Sequence, residues 1–315
     1  MGCPALSIVS ILHSAQTENS SSTRHGYANV NGIRLHYAEA GESRGGDNLV
    51  ILLHGFPEFW FSWQKQLDAL GPSFHVIAPD MRGYNLSDKP PLVADYKIDK
   101  LVGDVVGLID HFGAKQAAIV GHDWGAGVAW AVAQKHPERV SKLAVLQVPL
   151  LAAWRANLTF RQVLRSWYMF FFQIRGLPEW LIGRRDFRAI DQTFTERVAR
   201  KNSFTSEDVA RYKEAARQPG ALTGAINYYR ANVFDRFVSR KRDSGDAKQG
   251  NSRVRVPTLF IFGEQDFAIL PATVRGLEKY IDAPYREVRI PDSGHWVQNE
   301  APAEVNAALL EFLNG

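Results

Sequence analysis

The feature that most constrains this chain is a strand, a tight turn and a helix encoded by consecutive residues. The segment Ala117–Gly127 reads AAIVGHDWGAG, so a short apolar run ends in Gly121-His122-Asp123-Trp124-Gly125 and small residues continue as a helix. A Cβ atom at either glycine of the turn would clash with the neighbouring strand or helix. The pattern is typical of a nucleophile elbow, which presents its central side chain at the end of a strand. The alternative is an ordinary turn in which Asp123 caps the helix.

The residue at the centre of the turn narrows the chemistry. Asp123 stands where a hydrolase of esters or peptides has Ser or Cys. A carboxylate nucleophile attacks an sp3 carbon and forms an alkyl ester, so its substrates are epoxides or alkyl halides. A serine-type esterase or lipase is therefore disfavoured.

Composition and charge disfavour a nucleic-acid-binding protein and a membrane-spanning protein. The 315 residues are 45% hydrophobic and 22% charged, which is ordinary for a globular enzyme, and the net charge of +4 is too small to indicate nucleic acid. The basic stretch Arg236–Arg255 is diluted by acids, Gly and Ser, and is interpreted as a solvated linker. Cys3 is the single cysteine, which fits a reducing, cytoplasmic compartment. No apolar run is long enough for a membrane span.

Alternating strand and helix patterns predict the domain organisation. Residues 1–25 are predicted to be a disordered leader, because residues 16–24 are rich in Ser, Thr and Asn. Eight strand patterns follow, with a helix expected near Pro271–Ile281. Between the sixth and seventh strands lie about 100 residues of aromatic, helical pattern that end in a polar linker, Asp243–Ser252. We therefore expect an α/β fold with a mostly parallel eight-stranded sheet, helices on both faces, a core of residues 26–148 and 256–315, and a helical cap at 149–255.

Further candidate residues lie at the ends of predicted strands. Asp266 and His295 each follow a buried strand pattern. Nucleophile, acid and histidine therefore occur in the chain order that accompanies a nucleophile elbow. We expect Asp266 to orient His295, and His295 to act as general base. The backbone N–H groups of Phe56 and Trp124 are candidates for an oxyanion hole. Each residue alone is also compatible with an ordinary loop or turn.

The chain resembles the epoxide hydrolases of the α/β-hydrolase superfamily over residues 26–314. The resemblance is carried by motifs spread along the chain: His54-Gly55-Phe56-Pro57-Glu58, Asp80-Met81-Arg82-Gly83-Tyr84 with Ser87 and Pro90, the Asp123 elbow, and Gly294-His295-Trp296. It implies the α/β-hydrolase fold. It also implies conversion of an epoxide to a vicinal diol through a hydroxyalkyl ester on Asp123, hydrolysed by a water that His295 activates.

The same resemblance implies two ring-opening tyrosines in the cap. Trp167-Tyr168 and Asn227-Tyr228-Tyr229-Arg230-Ala231-Asn232 resemble the places where that family has them. Epoxide opening leaves an alkoxide, so a proton donor over the oxygen is required, and a phenol can supply it. The predicted donors are Tyr168 and Tyr229. Tyr228 is the nearest competing choice, and aromatic packing is the alternative for all three.

Two other functions stay open. The elbow and oxyanion motifs are shared with haloalkane dehalogenases, although Phe56 stands where those enzymes usually have Asn. Fluoroacetate dehalogenases have one arginine directly after the nucleophile and another three residues later, and these arginines hold the carboxylate of the substrate. This chain has Trp124 and Gly127 there, so a small carboxylate substrate is disfavoured. The alternative of another class is a non-catalytic ligand-binding protein of the same fold.

The predicted partners are a small apolar epoxide and water, with no cofactor, no metal, no nucleic acid and no membrane span. The chain is expected to be a monomer or homodimer. The aromatic composition of the cap indicates an apolar substrate pocket. Its predicted walls are Pro57, Phe59, Trp60, Phe171 and Trp296.

Overall fold

An eight-stranded sheet forms the centre of the molecule. The computed structural model describes residues 23–45, 48–238 and 253–315. Its strands follow the order β1-β2-β4-β3-β5-β6-β7-β8 across the sheet. Their bounds are β1 Arg24–Val30, β2 Ile33–Ala40, β3 Leu49–Leu53, β4 His75–Pro79, β5 Ala117–His122, β6 Val140–Leu146, β7 Thr258–Gly263 and β8 Tyr285–Ile290.

The strand directions confirm the predicted mostly parallel α/β sheet. All strand pairs from β4 through β3, β5, β6 and β7 to β8 are parallel, and β2 runs antiparallel to its two neighbours. Val30 pairs with Ile33 across a two-residue turn in which Asn31 and Gly32 have φ of +48° and +77°. An Asn-Gly pair tolerates these positive angles, which is why the first two strands form a hairpin.

Helices cover both faces of the sheet. They are α1 Gln64–Leu70, α2 Ile98–His111, α3 Trp124–Lys135, α4 Leu151–Ala156, α5 Phe160–Arg165, α6 Trp167–Phe171, α7 Leu177–Glu196, α8 Ser206–Arg217, α9 Ala221–Val238, α10 Val297–Glu300 and α11 Pro302–Asn314. Buried residues of α2 and α3 pack on one face, and those of α1 and α11 on the other. Strands β3, β4, β5 and β7 are buried along their whole length, as continuous apolar runs require.

The helices α4 to α9 follow β6 and precede β7. They pack over the carboxyl ends of the strands through specific contacts with the sheet domain. The hydroxyls of Tyr212 and Ser62 lie 3.0 Å apart, and the Arg165 guanidinium donates to the carbonyl oxygen of Phe267 over 2.7 Å. These contacts place the helical insertion directly above the edge of the sheet where ligands bind in this class of fold.

Three details differ from the sequence prediction or lie beyond it. Strand β1 begins at Arg24, so the last two residues of the expected leader belong to the sheet, and residues 1–22 lie outside the described chain. The helix expected near Pro271–Ile281 is wrong, because Gly276 at φ +70° separates two short 3-10 turns. The predicted linker Asp243–Ser252 lies outside the described residues. None of the described helices is long and apolar enough to cross a bilayer.

Candidate active site

Asp123 occupies a strained turn between β5 and α3. Its φ is +50° and its ψ −115°, a conformation that non-glycine residues rarely adopt. A Cβ atom on Gly125 would lie 2.0 Å from the carbonyl oxygen of Leu53, and one on Gly121 would lie 2.4 Å from that of Gly125. Only glycine allows the strand and helix to approach this closely. The turn therefore holds the Asp123 carboxylate at the carboxyl end of the central strand.

The loop after β3 supplies a hydrogen-bond donor to that carboxylate. The backbone N–H of Phe56 donates to Asp123 Oδ1 over 2.8 Å. A Cβ atom on Gly55 would lie 2.3 Å from the Cβ of Asp123, so the loop requires glycine there. Trp124 begins α3 immediately after Asp123. Both predicted oxyanion donors thus belong to backbone beside Asp123, where a fixed N–H dipole would be most effective.

His295 and Asp266 come together next to Asp123. His295 Nδ1 lies 2.8 Å from Asp266 Oδ2, and its Nε2 lies 3.8 Å from Asp123 Oδ2. The other oxygen of Asp266 accepts the backbone N–H groups of Ala268 and Ile269 over 2.6 and 2.9 Å. Since Asp266 is held by its own loop, the imidazole is oriented with Nε2 toward Asp123.

The charge on two carboxylates determines the protonation of this imidazole. Burial by itself lowers the pKa of His295, but the negative charges of Asp266 and Asp123 outweigh burial and raise that pKa to about 9. At neutral pH the resting site therefore holds an imidazolium between two carboxylates.

The sequence analysis missed Gln147, which follows β6. Its side chain is fully buried, and its amide donates to Asp266 Oδ2 and to the carbonyl oxygen of Gly294, each over 2.8 Å. Its carbonyl oxygen accepts the N–H of Gly263 over 2.6 Å. One amide thus ties together the end of β7, the acid and the His295 loop. A polar residue directly after a buried strand was the available signal.

Glu300 holds the same loop from the other side. This buried carboxylate accepts the N–H groups of Gly294 and Trp296, the two neighbours of His295, over 3.0 and 3.2 Å. It also accepts the N–H groups of Ala199 and Arg200 after α7, over 2.8 and 3.0 Å. The Glu300 carboxylate therefore links the loop that carries His295 to the helical insertion.

A third buried carboxylate, Glu58, supports the loops beside Asp123. Glu58 Oε2 lies 2.7 Å from His122 Nδ1, and His122 Nε2 lies 2.8 Å from the carbonyl oxygen of His295. The same carboxylate accepts the N–H of Gly55 over 2.7 Å. Burial raises the pKa of Glu58, but the charge of His122 more than offsets burial and the pKa is lowered. The carboxylate therefore stays ionised and fixes both loops.

Above Asp123 lies a cavity of about 520 Å³. Tyr168 of α6 and Tyr229 of α9 line it together with Asp123, and the two phenol rings are 5.9 Å apart. Burial, and then the nearby charge of Asp123, raises the pKa of both phenols, which keeps them neutral. Tyr228 points elsewhere and donates its hydroxyl to the carbonyl oxygen of Arg82 over 2.8 Å.

The predicted walls of the pocket differ from the residues that line the cavity. None of Pro57, Phe59, Trp60, Phe171 and Trp296 is among the residues that line the cavity. Phe59 and Trp296 belong instead to a buried cluster with α7 and α8, where an aromatic residue seals the insertion onto the sheet domain. The apolar residues that line the cavity include Trp124, Trp130, Val148, Leu150, Leu151, Trp154, Met169, Val233 and Ile269.

Comparison with known proteins agrees with this geometry. Residues 48–302 match the family model of the alpha/beta hydrolase fold. The chain is 39% identical to an AB hydrolase superfamily protein of Bacillus subtilis over 91% of this chain and 96% of that one. It is 36% identical to epoxide hydrolase 3 of Xenopus tropicalis, over 94% of this chain and 79% of that one. The chain belongs to the epoxide hydrolases of the α/β-hydrolase fold.

A solved structure shows the same likeness across the whole enzyme. Epoxide hydrolase A from Mycobacterium thermoresistibile superimposes with a TM-score of 0.80 at 32% identity, covering 93% of this chain and 99% of the other. This epoxide hydrolase therefore shares both its sheet and its helical insertion with that protein.

Proposed function

We propose that this epoxide hydrolase opens apolar epoxides with Asp123 as the nucleophile and releases vicinal diols. The observation that carries the proposal is that Asp123, Tyr168 and Tyr229 line one cavity, while His295 Nε2 lies 3.8 Å from the Asp123 carboxylate. Asp123 Oδ2 attacks one epoxide carbon from the side opposite the ring oxygen. The carbon–oxygen bond of the ring breaks, and a hydroxyalkyl ester forms on Asp123.

The two tyrosines act on the ring oxygen as it leaves. Tyr168 and Tyr229 lie on helices of the insertion that face Asp123 across the cavity, so their hydroxyls stabilise the developing alkoxide and one supplies the proton. Because burial raises the pKa of both phenols, a tyrosinate formed in this step is a strong base. The phenol regains its proton within the site.

His295 supplies that proton and then serves as base. Its pKa of about 9 depends partly on the charge of Asp123. Ester formation removes that charge, so the pKa falls and the imidazolium loses the proton that the alkoxide gains. Neutral His295 then takes a proton from water, which attacks the ester carbonyl carbon while the N–H groups of Phe56 and Trp124 stabilise the oxyanion. Release of the diol regenerates both the Asp123 carboxylate and the imidazolium.

The proposal also covers the domain boundaries, the substrate class and the location of the enzyme. We propose a core of residues 26–148 and 256–315 with a cap at 149–255, because α4 to α9 contribute the tyrosines and much of the cavity wall. The largely apolar lining favours an apolar epoxide as substrate. A cytoplasmic location, a monomeric or homodimeric state and independence of cofactors complete the proposal.

The test compares two substrates on purified enzyme. A terminal aryl epoxide such as styrene oxide should yield diol, whereas a terminal bromoalkane should yield no bromide. Asp123→Ala should abolish diol formation, and Tyr228→Phe, at a buried tyrosine that points away from the cavity, is the matched control. His295→Gln should accumulate an intact protein heavier by the mass of the epoxide. Bromide without diol would assign the site to dehalogenation, and steady diol release from His295→Gln would remove His295 as the base.

A further inference from the structure

The outer surface of the helical insertion carries a concentration of exposed apolar side chains. Of the twelve exposed large apolar residues in the described chain, nine lie between positions 158 and 180. Monomeric water-soluble proteins rarely expose large apolar patches, and those that occur often mark a site of interaction. Six of them, between 41% and 77% exposed, define what we term the cap patch: Phe160, Leu164, Trp167, Ile174, Leu177 and Trp180.

The members of the cap patch lie on three consecutive helices and on the turn between the last two. Phe160 and Leu164 are four positions apart on α5, and Leu177 and Trp180 are three apart on α7, so each pair lies on one side of its helix. On α6, Tyr168 and Met169 line the cavity. Trp167 and its neighbour Tyr168 therefore belong to the outer and inner faces of the same short helix.

The exposed charges within the stretch that carries the cap patch have one sign. Arg161, Arg165 and Arg175 are exposed within positions 158–180. The only acid of that stretch, Glu179, is neutralised by an ion pair with Arg230, whose Nη1 lies 2.6 Å from its carboxylate oxygen. The patch thus combines aromatic and aliphatic side chains with arginines that no carboxylate of the same stretch neutralises.

This combination selects among possible partners. An interfacial protein surface presents Trp, Phe and Leu to the acyl boundary while Lys and Arg contact anionic headgroups. A second copy of this chain docked face to face would instead place arginines opposite arginines, which is unfavourable. The charge pattern therefore favours an anionic partner with an apolar layer.

We propose that the cap patch docks the enzyme on the surface of anionic lipid bilayers. The helices that hold Tyr168 and the cavity wall would then rest on the phase in which apolar epoxides dissolve. The inference concerns an outer surface and does not depend on the proposed function, since none of its residues acts in the reaction.

Vesicle sedimentation of the full chain tests the proposal. Binding to phosphatidylcholine vesicles should be weak, and replacing about a third of that lipid with phosphatidylglycerol should produce binding that falls as salt is raised. Phe160→Ser and Trp180→Ser should each weaken binding by roughly tenfold, and Arg161→Gln and Arg175→Gln by about fivefold each. Tyr27→Ser, at an exposed aromatic residue on the edge strand β1, is the matched control and should bind as the parent does.

The outcomes separate the alternatives. Turnover of a water-soluble epoxide in the absence of lipid should be unchanged in all five variants, which shows that each is folded and leaves the catalytic proposal untouched. Absence of binding to phosphatidylglycerol vesicles would overturn the docking proposal, as would equal, salt-insensitive binding to neutral vesicles. A dimer by light scattering that Trp180→Ser dissociates, without vesicle binding, would assign the patch to contact between copies and also overturn it.

Discussion

Replacing Asp123 by its neutral isostere should lower the pKa of His295, the proposed base. Asp123→Asn keeps the shape of the side chain but removes a negative charge whose Oδ2 lies 3.8 Å from His295 Nε2. The pKa of His295, about 9 in the parent enzyme, is raised by this charge and by that of Asp266. Asp266 is untouched by the substitution, so the change isolates the contribution of the nucleophile.

The distance sets the size of the effect. Two unit charges 3.8 Å apart interact by about 4 kcal/mol at an effective dielectric constant of about 20, or about three pKa units. The Asp123 side chain is 15% exposed, and water that doubles the effective dielectric constant halves this value. The pKa of His295 should therefore fall by roughly 1.5 to 3 units, which brings it near neutrality.

Titration of the histidine Cε1–H signals by NMR measures this shift directly. The His295→Gln spectrum identifies the signal, and intact mass confirms that the introduced amide has not been hydrolysed back to a carboxylate by the adjacent base. Asp110→Asn is the matched control, because this exposed carboxylate of α2 pairs with Arg139 and its loss should leave the pKa of His295 unchanged. A His295 pKa in Asp123→Asn within half a unit of the parent value would refute the reasoning, and with it the proposal that ester formation triggers proton release.

Three further changes test the roles of single residues. Tyr229→Phe should slow ester formation by roughly 10- to 100-fold in single-turnover measurements, whereas Tyr228→Phe should leave it near the parent rate. If both variants formed the ester at the same rate, Tyr229 would not be the proton donor. Gln147→Leu should slow ester hydrolysis by about tenfold or more while ester formation persists, because a bond to the charged Asp266 is lost; slower ester formation alone would contradict this. Arg82→Leu should lower the free energy of unfolding in urea by about 3–5 kcal/mol, since Asp104 is left buried without its charged partner and, among the described residues, keeps only the Asn31 amide; a loss below about 1 kcal/mol would contradict this reasoning.

The sheet and the elbow could be predicted because they depend on local, periodic constraints. A fully buried parallel strand requires a continuous apolar run, as in Leu49–Leu53, and a tight turn requires glycine at Gly121 and Gly125. Asp123, Asp266 and His295 each follow a parallel strand, so all three lie at the edge of the sheet where the strands end. These inferences need only the chain direction and the pleat.

The pocket walls and the supporting network could not be predicted in this way. Phe59 and Trp296 are aromatic residues beside catalytic loops, but whether such a side chain lines a cavity or seals a contact depends on the packing angle of the insertion. Glu300 interacts with residues about 100 positions away, Ala199 and Arg200, and no local pattern encodes that pairing. Burial of a carboxylate against backbone N–H groups is visible only once the loops are placed.

The two halves of the proposed reaction depend on different parts of this architecture. Ester hydrolysis uses Asp266, His295 and the Phe56 N–H, all carried by loops at the edge of the sheet. In this proposal ring opening also uses Tyr168 and Tyr229, which lie on helices of the insertion. Glu300 bonds the His295 loop to that insertion, so displacing the helices should disturb ring opening first and the base second. Substitutions that loosen α6 or α9 are therefore expected to slow ester formation more than ester hydrolysis, and single-turnover rates for both steps would show the reverse order if the insertion served only as a cover.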